Sequence, residues 1–143
     1  MSFPAPKPGL VIRYGFLWSD EALGGVEEAS KDRPCAIVVA ARRTETGDIT
    51  VIVAPVTHTS PQDDDSVEIP APIARGLGLD DERHWIRVDE LNRFAWPGYD
   101  LRTIPGRPGE YAYGLLPEAI YQAVRAAILE RQKRARPRVQ TRD

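Results

Sequence analysis

Two short stretches carry side chains suited to chemistry. In "KDRPCAIVVA", Lys31, Asp32 and Arg33 stand before a proline and an apolar run, and in "ITVIVAPVTHT" a second apolar run ends at Thr57 and His58. A guanidinium such as that of Arg33 holds several fixed donors and keeps its proton, which suits it to negatively charged oxygens. The Thr57 hydroxyl can donate as well as accept. The His58 imidazole can take a proton as general base or return one as general acid. Each residue also has a plainer reading. Arg33 could pair with Asp32 or an acidic loop residue, Thr57 could be an ordinary strand residue, and His58 could be a loop histidine facing water.

The other reactive groups are few. Cys35 is the only cysteine, which rules out an internal disulfide and a thiolate metal cluster, and its apolar neighbours mark it as a small core residue rather than a nucleophile. His58 and His84 are the only histidines, so no His-rich metal site is expected, and His84 reads as a strand-edge residue. Trp18, Trp85 and Trp96 either stack unpaired bases or pack in the core or an interface.

The elements that must hold these groups are mainly strands. Leu10–Tyr14 reads as a strand that Gly15–Trp18 extends after a bend, and 19–32 reads as a long polar loop. Cys35–Ala41 and Ile49–Val56 are rich in Val and Ile, with Gly47-Asp48 suited to the hairpin turn between them. Val67–Ile69 and His84–Val88 follow, with "PIARGLGL" between them as a turn-like segment carrying one helical turn. "LNRFAW" continues or pairs with His84–Val88, and 97–114, with three prolines, reads as irregular surface chain. Leu116, Ile120, Val124 and Ile128 recur at helical spacing after Pro117-Glu118, and Arg131, Lys133 and Arg134 suit the helix end. The expectation is a mainly β fold of five to seven short strands with one C-terminal helix, as a strongly bent sheet or partly open barrel.

With 143 residues, the chain is expected to form one domain over 1–143, its core at about 9–130 and a basic tail at 131–143. No apolar run approaches the roughly 20 residues of a membrane span, and "MSFPAPKPG" has no signal-peptide pattern, so a cytoplasmic protein without membrane contact is expected. The net charge of −2 does not advertise a nucleic-acid binder, but its distribution is uneven. Asp63, Asp64 and Asp65 form an acidic loop, and "ERQKRARPRVQTRD" is strongly basic: either a solvated helix end with disorder or a phosphate-contacting arm.

In order along the chain stand Gly9 before a strand, the Gly24-Gly25-Val26-Glu27-Glu28 loop, Arg33-Pro34 opening a Val-rich strand, and Pro55-Val56-Thr57 ending the next. "VEI" at Val67–Ile69, "VDELNRFAW" at Val88–Trp96 and a terminal helix after Pro117-Glu118 follow. This ordered set, covering about 9 to 130, resembles the MazF/PemK family of toxin endoribonucleases. Asp89-Glu90-Leu91 stands where the family has Asp-Gln-Val.

The resemblance implies an SH3-like small barrel of the MazF/PemK/CcdB type, usually a homodimer. The implied protein is a toxin that cuts single-stranded RNA sequence-selectively, without a metal or other cofactor, and is held inactive by a cognate antitoxin. The ribose 2′-OH would attack the adjacent phosphate, leaving a 2′,3′-cyclic phosphate and a 5′-OH. It carries Arg33 and Thr57 into the catalytic positions, while His58 is a local addition as acid or base. Gly25, Lys31, Pro55 and Arg93 are the expected RNA-binding residues, with Arg42 a further source of positive potential in the groove. Two alternatives stand beside it: a non-catalytic toxin of the same fold that binds DNA gyrase, and an SH3-like binding module. The first depends on a Trp-Gly-Ile end to the terminal helix, whereas this chain ends "PRVQTRD".

Overall fold

The computed structural model describes residues 3–19, 32–61, 65–134 and 137–142. Its strands are β1 (Leu10–Gly15), β2 (Asp32–Arg42), β3 (Ile49–Thr57), β4 (Ser66–Ile69), β5 (His84–Arg87), β6 (Glu90–Ala95), β7 (Ala112–Leu115) and β8 (Arg138–Thr141). Two helices join them, the short α1 (Ala71–Gly76) and the long α2 (Glu118–Arg134). The fold is mainly antiparallel β with a C-terminal helix. Among the described residues no helix is long and apolar enough to cross a membrane.

The sheet runs β4-β5-β3-β2-β1-β7, and β6 joins it through β3. β3 makes this possible by changing partner along its length. Thr50–Val53 pair with β6, whereas Val56 and Thr57 pair with Ile86 and Trp85 of β5. One edge of β3 therefore feeds two diverging ribbons, and the sheet curls into a half-barrel.

The unbroken apolar runs of β2 and β3 follow from burial on both faces. Alternate residues point to opposite faces of a strand. Val11, Ala36, Val38, Ala54 and Val56 enter one buried cluster together with Leu116 and Val124, and Ile120, Ala127 and Ile128 of α2 pack against it. Ile12, Tyr14, Cys35, Ile37, Val51 and Val53 enter the other with Phe16, Phe94 and Leu101. Cys35 is a core residue, and burial pushes its thiol pKa well above the ordinary range.

Three local expectations need correction. "LNRFAW" neither continues nor pairs with β5, because β6 lies between β3 and β8. The irregular connection ends in a strand, β7, which closes on β1. The basic tail is not a frayed end: Arg138–Thr141 pair in parallel with Glu90–Arg93. The charges of that tail are placed as well as solvated. Arg142 Nη2 donates to Asp100 Oδ2 at 2.8 Å, and Arg138 Nη1 lies 3.4 Å from Glu90 Oε2.

Candidate functional site

A cavity of about 240 Å³ opens where the ends of β1, β2, β3 and β7 meet the segment between α1 and β5. Arg33, Thr57 and His58 all line it, together with Arg13, Asp32, Leu79, Asp80, His84 and Tyr113. The register explains the first two. Cys35–Pro55, Ala36–Ala54 and Ile37–Val53 are opposed pairs, and Arg33 and Thr57 each stand two residues beyond the Cys35–Pro55 pair on their own strands. Strand alternation then directs both side chains to one face of the sheet.

Among the described residues, Arg33 is held by an aromatic surface. Its Cζ lies 5.0 Å from the Trp18 ring centroid, and Arg87 lies 5.0 Å from the same ring. Cation–π contacts operate within about 6 Å. Among the described residues, no carboxylate forms an ion pair with Arg33, and its buried Nε has no hydrogen-bond partner. Asp32, one of the two partners the plainer reading of Arg33 offered, lies 3.9 Å from Arg102 Nε.

Trp18 is itself fixed from behind. Asn92 of β6 is fully buried; its Oδ1 accepts from Leu17 N at 2.9 Å and its Nδ2 donates to Leu17 O at 2.8 Å. Glu90 accepts from both Ser19 N and Ser19 Oγ, at 2.8 and 2.7 Å. Glu90 thus clamps the chain on one side of Trp18, as Asn92 does on the other. A chain of contacts runs from β6 through Leu17–Ser19 to the indole, and from there to the Arg33 guanidinium.

Thr57 closes a small turn, its Oγ1 accepting from Thr59 N at 3.1 Å. Spending an acceptor lone pair in this way leaves the hydroxyl proton free to donate. Arg13 Nη1 donates to the Tyr113 hydroxyl at 3.1 Å, and both residues line the cavity, although Arg13 shares the strand face of Val11 whereas Arg33 shares that of its partner Tyr14.

His58 lies between two carboxylates, Nε2 at 3.2 Å from Asp80 Oδ2 and Nδ1 at 3.1 Å from Glu82 Oε2. His84 is not a strand-edge residue facing out. It is buried at the start of β5, opposite Ile69, with its Nε2 3.0 Å from Asp80 Oδ1 and its ring 4.8 Å from that of His58. The structure thus brings the chain's two histidines together on one carboxylate. Burial tends to raise the Asp80 pKa, but the hydrogen bond from the Glu82 amide and the two imidazoles outweigh it, so the net shift is downward. Gly78 makes the approach possible, since its φ of +80° turns the chain sharply after α1.

The remaining expected residues lie elsewhere. Pro55 is buried in β3 opposite Cys35. Arg93 is exposed on β6 and donates to Thr141 Oγ1 at 2.8 Å, and Arg42 donates to Gly47 O at 2.9 Å across the β2–β3 hairpin. Neither arginine lines the cavity. Gly25 and Lys31 lie outside the described residues. Of the tryptophans, Trp85 is buried under Arg83, and Trp96 packs near Phe94. Sequence reasoning missed Arg13, Tyr113, Asp80 and Glu82. The Asp80-x-x-x-His84 spacing was the one local signal for part of this set.

No protein-family model matches the chain, and no curated protein sequence matches it.

Proposed function

We propose that the protein is a MazF/PemK-like endoribonuclease with an SH3-like barrel, cutting single-stranded RNA at the cavity where the ends of β2 and β3 meet the segment between α1 and β5. The observation that carries this reading is that Arg33 and Thr57, at the ends of β2 and β3, line one cavity, with the buried Arg33 Nε unpartnered among the described residues. The curled antiparallel sheet with its terminal helix supports the barrel assignment. The resemblance rests on short motifs in order, not on similarity over the whole chain.

In this reading the scissile phosphate sits against Arg33 and Thr57. The ribose O2′ forms a bond to phosphorus as the P–O5′ bond breaks, leaving a 2′,3′-cyclic phosphate. Charge grows on the non-bridging oxygens as the bonds change, and fixed guanidinium and hydroxyl donors stabilise it there. Arg13 also lines the cavity and adds positive potential there. The 2′-OH proton leaves to a base and the 5′-oxygen receives one. His58, held between Asp80 and Glu82, is the proton-transfer candidate. The family reading also includes a cognate antitoxin and a homodimer.

The test is incubation of a long single-stranded RNA with purified protein in EDTA, followed by analysis of the fragment ends. Discrete fragments with 2′,3′-cyclic phosphate and 5′-OH ends are expected. An intact RNA pool after exposure to folded, antitoxin-free protein would contradict nuclease activity. Retarded but uncut RNA would favour a binding module instead.

A further inference from the structure

The strongest cluster that RNA cleavage does not account for is His58, Asp80 and His84. Each offers one ligand atom, and the three atoms all lie within 4.8 Å of one another. We propose that this cluster is a binding site for a zinc-class divalent transition metal, with Glu82 orienting His58. It was unexpected, because two histidines 26 positions apart give no metal-ligand spacing in the sequence.

The geometry fits a small tetrahedral ion. Metal–nitrogen and metal–carboxylate bonds of about 2.0–2.1 Å put neighbouring ligand atoms about 3.3 Å apart in a tetrahedron. The Asp80 carboxylate already stands 3.2 Å from His58 Nε2 and 3.0 Å from His84 Nε2. These two distances run to different carboxylate oxygens, so with a single Asp80 oxygen as ligand one edge is near its loaded length and the other two must contract from at most 4.8 Å.

The surroundings fit as well. A metal-bound histidine commonly donates its other ring N–H to a carboxylate, which fixes the tautomer and raises ligand basicity. His58 Nδ1 has that partner in Glu82 Oε2 at 3.1 Å. His84 offers Nε2, which also lies 3.2 Å from the Asp80 backbone O; its buried Nδ1 has no partner among the described residues, and an ion on Nε2 leaves that unchanged. The donor set decides the class of ion. Two imidazoles and one carboxylate suit zinc, cobalt or nickel, whereas magnesium and calcium require mostly oxygen ligands. The cluster lines the cavity, so a fourth, open position would face whatever binds there. An ion on His58 Nε2 also excludes that nitrogen from proton transfer. This consequence, unlike metal binding itself, rests on the endoribonuclease reading.

The experiment is calorimetric titration of tag-free, EDTA-treated protein with zinc, together with cobalt substitution followed by visible absorption. One equivalent of zinc should bind, and cobalt should give the intense d–d bands of a tetrahedral site. His58→Gln and Asp80→Asn should each weaken zinc binding by at least about tenfold, and Glu82→Gln by about tenfold. Excess magnesium should not displace the ion. His84 is buried and its variant could unfold, so the half-exposed His58 supplies the deciding substitution, with circular dichroism to show folding. Absence of zinc binding to the folded wild type would overturn the proposal. Undiminished affinity in both His58→Gln and Asp80→Asn would also overturn it. Neither readout depends on RNA cleavage. If cleavage occurs, zinc should suppress it in the wild type, whereas failure of cleavage alone leaves the binding result intact.

Discussion

Two concave regions among the described residues differ sharply in character. The cavity at the strand ends holds about 240 Å³ and gathers Arg13, Arg33, Thr57, His58, Asp80 and His84 from several elements. The groove between α2, β8 and the sheet is larger, about 540 Å³, and is walled mainly by Val38, Val39, Ile52, Leu91, Ile128, Leu129 and Val139. Size and chemistry therefore point to different places. Over most of β2 and β3 both faces are committed to the two apolar clusters, whereas in the cavity polar side chains converge near strand ends. There the backbone is rigid while the side chains remain accessible.

The sharpest way to break this comparison is to remove the cavity's charge. Arg33→Ala should reduce RNA cleavage by about 10²–10³-fold, the usual effect of losing a donor to a developing oxyanion. In the groove, Leu129→Ser should leave the cleavage rate unchanged. Equal losses from the two variants would erase the distinction between the regions. Rates measured on one RNA substrate check both.

A second test concerns the clamp behind Trp18. Asn92→Ala strands the Leu17 N–H and C=O, and buried unpaired polar groups cost about 1–3 kcal/mol each. Urea unfolding should register a loss of about 2–4 kcal/mol. Cleavage by the folded fraction should also fall, because the indole under Arg33 is no longer fixed. A variant with unaltered stability would show that the clamp does not support the cavity.

The core between the two regions gives a smaller, pH-dependent effect. Burial raises the Cys35 pKa, and Arg33 and Arg13 only partly oppose it; the thiol lies 3.7 Å from Arg33 O, in reach for a weak hydrogen bond. A folded pKa above the unfolded value of about 8.5 leaves its stability contribution intact below that pH and removes it as pH rises. Stability should fall by about 1.4 kcal/mol per pH unit above about 8.5. Tyr14, its phenol also raised by burial, adds to the fall only above about pH 10. Cys35→Ala should flatten the profile between pH 8.5 and 10, and the native thiol should resist iodoacetamide at neutral pH. Denaturant midpoints across this range supply the check.

The smallest effect belongs to the groove itself. Leu129 and Val139 are exposed, so Leu129→Ser and Val139→Ser should each change stability by no more than about 0.5 kcal/mol. A larger loss in thermal unfolding would mean that the groove contributes to the fold.

Much of the frame was readable in advance because it is local. β2 and β3 announce themselves by Val and Ile runs with Gly47-Asp48 between them, and α2 by its helical apolar spacing. Arg33 and Thr57 could be placed at strand junctions for the same reason. What was not readable depends on distant partners. β8 has no strong apolar alternation and forms because β6 offers it an edge and Glu90 and Asp100 offer it counter-charges. Arg13 lies in the middle of an apolar strand, and only its contact with Tyr113, 100 residues away, brings it to the cavity. His84 resembled an edge residue because the turn that buries it beside His58 is set by α1 and Gly78, not by its own neighbours.

The most direct test of the central claim is a double-mutant cycle on RNA cleavage with Arg33→Ala, Thr57→Ala and the double variant, each shown to be folded. If both side chains act on one scissile phosphate, the double variant should lose far less than the product of the two single losses, since each residue works only with the other in place. Losses that multiply independently, or cleavage at the wild-type rate in either single variant, would contradict a shared site at the ends of β2 and β3.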